Sequence, residues 1–283
     1  MKARSNRFES WRRTRVIARE EFRRALESRW LFGFAALFAL FVLGLSYLGL
    51  AQSGEVGFTG FARVTLSLLN LVLFVVPLVG LMLGVMSVAG NAETLSLLLA
   101  QPVSRGEVLF GKFVGLSLGL AVAQAMGLGV GGLVVALNAG IDQLAGFAVL
   151  GVLSLVLGTL SVATSLGIAS LWPDKLKAIG AALALWLMLA VAYDLGVLGA
   201  SSLLRGVSLE AVLLPALLLN PIDLARVLVT MAVGQGALFG PTAAVLMRTV
   251  GSTGGIVLAC ALLAIETVLP LAIASRAFRR RDW

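Results

Sequence analysis

The sequence predicts an all-α fold: a polytopic membrane protein with six transmembrane helices, an N-terminal amphipathic interfacial helix and short extracytoplasmic helices between spans five and six. Of its 283 residues, 59% are hydrophobic and only 13% are charged. That is too little polar material to cover a water-soluble domain of this size. The 22 basic residues lie mainly at the ends of apolar segments, which is typical of membrane proteins. We therefore expect membrane lipid, and no nucleic acid, as a partner.

Residues 1–30 are predicted to form a basic amphipathic helix. Apolar side chains recur on one face at helical spacing, and Arg15 interrupts that face. They are Phe8, Trp11, Ala18, Phe22, Ala25 and Leu26. A helix of this kind, joined directly to a span, is expected to lie along the membrane interface. A simple anchor that fixes orientation is an equal alternative to a mechanical role.

Residues 31–275 contain six apolar stretches. Each is long enough to cross about 30 Å of hydrocarbon at about 1.5 Å of rise per residue. They are Leu31–Leu50, Val64–Gly90, Phe113–Leu137, Leu144–Leu171, Ala178–Ala200 and Gly254–Ser275.

The distribution of basic residues predicts the orientation of these spans. With six spans, only four of the 22 basic residues fall on one side: Arg63, Arg205, Arg226 and Arg248. The others lie on the opposite side, which the positive-inside rule assigns to the cytoplasm. Both termini, including the basic tail 276–283, are thus expected in the cytoplasm. An even number of spans likewise requires the two termini to lie on the same side. We expect a multi-pass protein of the bacterial inner membrane.

Residues 203–250, between spans five and six, are predicted to form short extracytoplasmic helices. Ala211–Leu219 and Leu224–Val233 are apolar but too short to span alone, and the pair Asn220–Pro221 separates them. We expect them to dip into the outer leaflet or to lie on it. The alternative is one kinked span, which would make seven.

Polar residues at membrane depth are candidates for gating, because each is costly in hydrocarbon. Glu266 lies in the last span and Asp194 near the outer end of the fifth, and Asn220 and Pro221 join the two short helices. Pairing with a neighbouring helix or snorkelling explains Glu266 equally simply, and solvation explains Asp194. The chain has no histidine and one cysteine, so no metal site is predicted.

Glycines at four-residue spacing predict close helix packing. Gly111, Gly115 and Gly119 form one such row, and Gly80 and Gly84 form another. Small residues at this spacing let helix backbones approach closely. The partner is either a helix of the same bundle or a second copy of the chain.

The segment 91–107 is predicted to contain a short cytoplasmic coupling helix between spans two and three. Asn91 is a candidate N-cap, with Glu93 favourable in the first turn, and Pro102 should end the helix. The helix would expose leucines for a partner's groove, although the bilayer could also cover them. These leucines are Leu95, Leu98 and Leu99.

Gly106–Phe113 nearly matches the phosphate-binding loop G-x-x-x-x-G-K-[ST]. Phe113 replaces the hydroxyl residue that would bind Mg²⁺, and a membrane helix follows in place of the required strand–loop–helix context. The chain is therefore predicted not to be an enzyme and not to bind ATP by this route.

The coupling segment resembles that of the ABC-2 type permeases, in which T-L-x-x-L-L-x-x-P-x-S-R precedes a G-K pair. Here the pattern stands as Thr94–Leu95, Leu98–Leu99, Pro102, Ser104–Arg105 and Gly111–Lys112. The resemblance implies a permease subunit that works as two copies with a cytoplasmic ABC ATPase dimer, which binds ATP and Mg²⁺. It also implies the residues that contact the ATPase. These are Glu93, Thr94, Leu95, Leu98, Leu99, Pro102, Ser104 and Arg105.

Within that family, the chain is similar almost end to end to the permeases of transporters that mature nitrous oxide reductase. Tyr193–Leu195 and Leu219–Asp223 belong to this similarity, whereas Gly90–Glu93 departs from the acidic run found in relatives. The resemblance implies copper-site assembly with a periplasmic accessory protein. A general ABC-2 exporter of a lipid, a drug or an ion is the alternative.

Overall fold

The computed structural model describes residues 2–51, 58–139, 144–172, 174–193, 195–196, 199, 209–233, 246, 248 and 251–280. This part of the chain is helical apart from short connections. The helices are α1 (Lys2–Glu27), α2 (Arg29–Ala51), α3 (Phe58–Val88), α4 (Ala92–Leu99), α5 (Arg105–Ala139), α6 (Leu144–Leu171), α7 (Lys175–Leu187), α8 (Leu209–Leu218), α9 (Pro221–Val233) and α10 (Ser252–Arg280). A 3₁₀ turn, Ala89–Asn91, precedes α4, and a π turn, Met188–Ala192, continues α7.

Five helices are long and apolar enough to cross a membrane: α3, α5, α6, α10, and α7 when it is taken together with the π turn that continues it. A sixth span is reached when α2 is counted together with α1, from which it bends by 61°. The break falls at Ser28, whose carbonyl accepts a bond from Phe32 N and so begins the new helix. The predicted all-α fold with six spans is confirmed on this count.

Helix α6 lies at the centre of the bundle and packs most extensively against α3. Gly80 and Gly84 of α3 face Ser161 and Ser165 of α6, and a Cβ added to Gly80 would lie 2.7 Å from Ser161 Cβ. Each serine hydroxyl bonds to a carbonyl of its own helix, so no polar group is left unpaired at this contact. Small residues on both sides let the two backbones approach closely.

The glycine row of α5 is occupied by α1. A Cβ on Gly115 would lie 2.5 Å from Ala18 O, and a Cβ on Gly119 would lie 2.7 Å from Ala25 Cβ. Of the two partners considered for this row, it is a helix of the same chain that packs there. The N-terminal helix is therefore a packed part of the bundle.

The predicted apolar face of α1 is only partly correct. Ala25 is buried, but Trp11 is 71% exposed and Leu26 is 42% exposed. Ile17 and Glu21 are buried in their place. The glycine row gives α5 a flat surface, and the side of α1 that packs closely against this surface is not its most apolar side.

The second of the two short helices between spans five and six, α9, is packed inside the bundle. The 13-residue helix α9 packs against α3, α6 and α10, and Leu224, Ala225 and Val229 are almost completely buried. It is thus inserted into the bundle and does not lie on its surface. Residues 203–208, the other part of this predicted region before α8, lie outside the described residues, as do most residues between 234 and 250.

Candidate coupling site

Helix α4 has one buried and one exposed side. Leu95 is 2% exposed, and Leu98 and Leu99 are half-buried against the core. Leu97, in contrast, is 72% exposed. The expectation that Leu95 is exposed for docking is therefore wrong. Residues at i, i+3 and i+4 share one helix face, and here that face packs inward, which leaves Leu97 as the exposed leucine that the motif did not indicate.

The start of α4 also differs from the prediction. Asn91 makes no side-chain capping bond to α4. Its amide donates instead to the backbone oxygen of Met86, 3.0 Å away, and so satisfies a carbonyl near the end of α3. The side chain of Asn91 therefore interacts with the end of α3 and not with the beginning of α4. The side chain of Glu93 lies outside the described residues, and Thr94 is exposed.

Ser104 and Glu107 form a capping box that begins α5. Ser104 N donates to Glu107 Oε2 (2.8 Å), and Glu107 N donates to Ser104 Oγ (3.2 Å). Each side chain thus satisfies a backbone donor that a helix start leaves free. The interval 91–107 therefore contains two helices, because α4 ends at Leu99 and α5 starts at Arg105.

Pro102 and Arg105 connect the segment between α4 and α5 to both terminal helices. Arg13 of α1 donates through Nη1 to Pro102 O (2.6 Å) and lies 3.9 Å from a carboxylate oxygen of Glu107. Arg105 donates to Arg279 O (2.7 Å) at the end of α10. A cation at a helix C-terminus satisfies carbonyls that have no partner within the helix. The motif residues thus join α1, α5 and α10.

A buried ionic cluster lies directly beneath this segment. Lys112 Nζ of α5 donates to Glu21 Oε1 of α1 (2.5 Å) and to Ser87 Oγ of α3 (2.9 Å). Ser87 Oγ in turn donates to Glu21 Oε2 (3.2 Å). All three residues are buried. A buried pair persists only when its bonds are complete, so this cluster fixes the three helices relative to one another.

A groove of about 890 Å³ separates α1 from α4. Its α1 wall is charged and its α4 wall is largely apolar, and Ser87 and Lys112 lie among the residues that line it. The α1 wall includes Glu9, Arg13, Glu20 and Arg24, and the α4 wall includes Thr94, Leu95, Leu97 and Leu98. A groove with one charged and one apolar wall suits an amphipathic protein segment.

Three of the candidate gating residues, Glu266, Asn220 and Pro221, are not among the residues that line this groove. Glu266 is half-buried in α10, and its Oε2 has no hydrogen-bond partner among the described residues. It precedes Arg279 by 13 residues, or about 20 Å along a helix. Asp194 lies outside the described residues.

Asn220 and Pro221 form the junction between α8 and α9. Asn220 Nδ2 donates to Leu189 O (3.0 Å) in the π turn of α7, and Ile222 N donates to Asn220 Oδ1 (3.0 Å). Pro221 takes the first position of α9, where its missing N–H costs nothing. This junction therefore attaches α9 to the irregular turn of α7.

A multi-span helical bundle in which an amphipathic helix and a short connecting helix flank a groove defines the class as a polytopic helical membrane protein. Residues 15–283 match the family described as ABC-2 family transporter protein, and the chain belongs to that family.

Two relatives carry the same description, "Probable ABC transporter permease protein NosY". The one from Pseudomonas aeruginosa is 36% identical over 94% of this chain and 98% of its own length. The one from Stutzerimonas stutzeri is 37% identical over 75% of this chain and 79% of its own length. The similarity thus extends through the spans, the coupling segment and the junction at Asn220.

Proposed function

We propose that the chain is the permease subunit of an ATP-driven transporter in a bacterial inner membrane, with both termini in the cytoplasm. Two copies would work with two copies of a cytoplasmic ATPase, which binds the ATP and Mg²⁺. One observation carries the proposal: Leu97 is exposed on α4 at the edge of a groove that no segment of the described chain fills. An exposed leucine beside such a groove favours the docking of another protein.

The contacts of the coupling segment support a mechanical role. A force on α4 would reach α3 and α5, because α4 connects them. Arg105 would carry it to α10, and Lys112 would carry it to α1. The ATPase-contact residues that the family motif implies then divide into two groups. Thr94 and Leu98 would touch the ATPase, together with Leu97, which the motif does not include. Leu95, Leu99, Pro102, Ser104 and Arg105 would hold the segment in place. The remaining motif residue, Glu93, has its side chain outside the described residues.

The relatives support a more specific proposal for the transporter's task. Both are described as NosY, and the resemblance of this chain to that group implies the maturation of the copper site of nitrous oxide reductase. A periplasmic accessory protein would complete the assembly. The chain would transmit movement across the membrane or transport a cargo.

Substitution of Leu97 tests the docking surface. We expect Leu97→Asp to reduce the affinity for the ATPase by at least about 30-fold, because it removes an apolar contact and places an unpaired carboxylate in the interface. Leu176→Asp is the matched control, because Leu176 is also highly exposed but lies in the first turn of α7 and does not line the groove. Co-purification of the ATPase from membranes measures both variants. Normal recovery with Leu97→Asp would contradict the proposed docking surface.

Deletion of the gene tests the proposed task separately. We expect nitrous oxide reductase from the deletion strain to lack copper at its catalytic site, and plasmid-borne wild-type chain to restore it. The metal content of the purified reductase is the measurement. Reductase with full copper occupancy in the deletion strain would refute the copper-site role and would favour a general ABC-2 exporter.

A further inference from the structure

The six arginines of α1 whose side chains the structure describes fall into two groups. Three of them form ion pairs with carboxylates. The pairs are Arg13 with Glu9 and Glu107, Arg23 with Glu27, and Arg24 with Glu20. Among the described residues, no carboxylate forms an ion pair with Arg12, Arg15 or Arg19, and all three side chains are exposed. The charges of these three arginines are therefore not neutralised by a carboxylate of the described residues.

The three arginines share one side of the helix, opposite the packed side. They stand at i, i+3 and i+7, and Arg15 and Arg19 each lie about 160° around the helix from a buried residue, Ile17 and Glu21 respectively. The exposed side chains of Trp11 and Leu26 flank them. The free surface of α1 therefore combines unpaired cations with an aromatic and an aliphatic side chain.

The bend at Ser28 sets the level of this surface. Helix α2 counts as a span only together with α1, and the two helices are bent by 61° relative to each other. Trp30, immediately after the bend, is 64% exposed. Exposed tryptophans are enriched at the level of lipid headgroups, so both Trp11 and Trp30 are suited to that level. The bend turns α1 away from the direction of α2, and the two tryptophans favour the level at which phosphodiester groups lie.

We propose that Arg12, Arg15 and Arg19 form a binding site for the headgroups of anionic phospholipids, with Trp11 and Leu26 in contact with the adjoining acyl chains. Guanidinium groups bind phosphodiester oxygens through two parallel hydrogen bonds. A lipid supplies both the negative charge and the apolar surface that this side of α1 lacks. An acidic protein surface would satisfy the arginines and would leave Trp11 and Leu26 in water.

Titration of the purified full-length permease with phosphatidylglycerol tests this site. Native mass spectrometry would count the bound lipids, with phosphatidylcholine as the uncharged comparison. Wild type should bind phosphatidylglycerol in preference to phosphatidylcholine. Arg15→Gln/Arg19→Gln should weaken phosphatidylglycerol binding by about fivefold for each arginine. Arg12 is retained in the test variant because it also borders the groove.

Arg23→Gln is the matched control for Arg19→Gln alone, since each removes one charge from an exposed arginine of the same helix, but Glu27 already neutralises Arg23, and neither residue lines the groove. It should bind phosphatidylglycerol like wild type. Arg15→Lys/Arg19→Lys should recover the part of the affinity that comes from charge but not the part that comes from paired hydrogen bonds. That partial recovery would also show that substitution at these positions leaves α1 folded.

Equal weakening of phosphatidylglycerol binding in Arg19→Gln and Arg23→Gln would show a net-charge effect and would overturn the proposal. The proposal would also be overturned if Arg15→Gln/Arg19→Gln lost ATPase co-purification but bound phosphatidylglycerol like wild type, because the surface would then belong to a protein partner.

Discussion

Lys112 and Glu21, which are 91 residues apart in the sequence, form a buried ion pair with Nζ and Oε1 2.5 Å apart. Lys112 lies near the N-terminal end of α5, the longest of the described helices, and Glu21 lies on the amphipathic helix that the sequence predicts only to rest on the membrane. The pair joins α1 to α5, and Ser87 connects both to α3. The part of the chain that carries the coupling segment is therefore one rigid unit.

Removal of one member of this pair should be strongly destabilising. We expect Lys112→Ala to cost about 3–5 kcal/mol, because it leaves the Glu21 carboxylate buried without its cation. The double variant Glu21→Leu/Lys112→Met should recover most of this loss, since apolar residues of similar volume need no ionic partner. Thermal unfolding of the purified permease is the measurement.

Arg23→Gln is the control for that experiment. Arg23 also pairs with a glutamate of α1, but the pair is exposed, so its removal should barely change the unfolding temperature. If Lys112→Ala and Arg23→Gln have the same small effect, then the buried cluster does not hold α1 in place.

Close packing of α1 against α5 makes Gly115 intolerant of a side chain. A Cβ at this position would lie 2.5 Å from Ala18 O and 2.7 Å from Glu21 Cβ, so α1 must move to accept it. We expect Gly115→Ala to destabilise the protein by about 1–3 kcal/mol and to make α1 more sensitive to trypsin.

Gly129→Ala provides the comparison, because Gly129 lies on the same helix with nothing within 4 Å of the added methyl group. Alanine has a higher helix propensity than glycine, so this variant should be neutral or slightly stabilising. Equal trypsin sensitivity in the two variants would argue against the packing of α1 in solution.

The bond from Arg105 to Arg279 O predicts that the coupling segment protects the end of α10. Arg105→Gln should expose the last carbonyls of α10 and increase its fraying, at a cost of about 1 kcal/mol. Limited trypsin digestion followed by mass spectrometry would show faster cleavage at Arg279 and Arg280. Arg276→Gln, a change at an exposed arginine of α10 itself, should leave those two cleavage rates unchanged.

Hydropathy predicted the spans because it detects where lipid surrounds a helix, but it does not detect where the helix begins. The predicted third span starts at Phe113, whereas α5 starts eight residues earlier at Arg105. The Ser104–Glu107 capping box begins this helix in the polar region, and its S-x-x-E spacing is visible in the sequence. A local signal was thus available and would have corrected the boundary.

Other features could not be predicted from local patterns. The motif identified Leu95, Leu98 and Leu99 as one face, but the spacing does not say whether that face points to the core or to a partner, and Leu97 was therefore missed. Likewise, Glu21 and Lys112 come together only through the fold. Their separation along the chain means that no periodicity links them, and Glu21 had no property that set it apart from other glutamates of a basic helix.

Asn220 joins the π turn of α7 to the start of α9, and its two side-chain bonds can be separated by substitution. Oδ1 accepts from Ile222 N and so caps α9, while Nδ2 donates to Leu189 O. Asparagine and aspartate are equally good N-caps. If capping were the whole role of Asn220, Asn220→Asp would be as stable as wild type and only Asn220→Ala would be destabilised, by about 0.5–2 kcal/mol. We expect the opposite order, because aspartate places a carboxylate oxygen against the Leu189 carbonyl in a buried site, which costs more than the loss of the donor alone.

The control is Asn70→Ala, at an exposed asparagine of α3, which should leave the unfolding temperature unchanged. Wild-type stability in Asn220→Asp would show that the bond to the π turn contributes nothing, and that α9 is held by its apolar contacts.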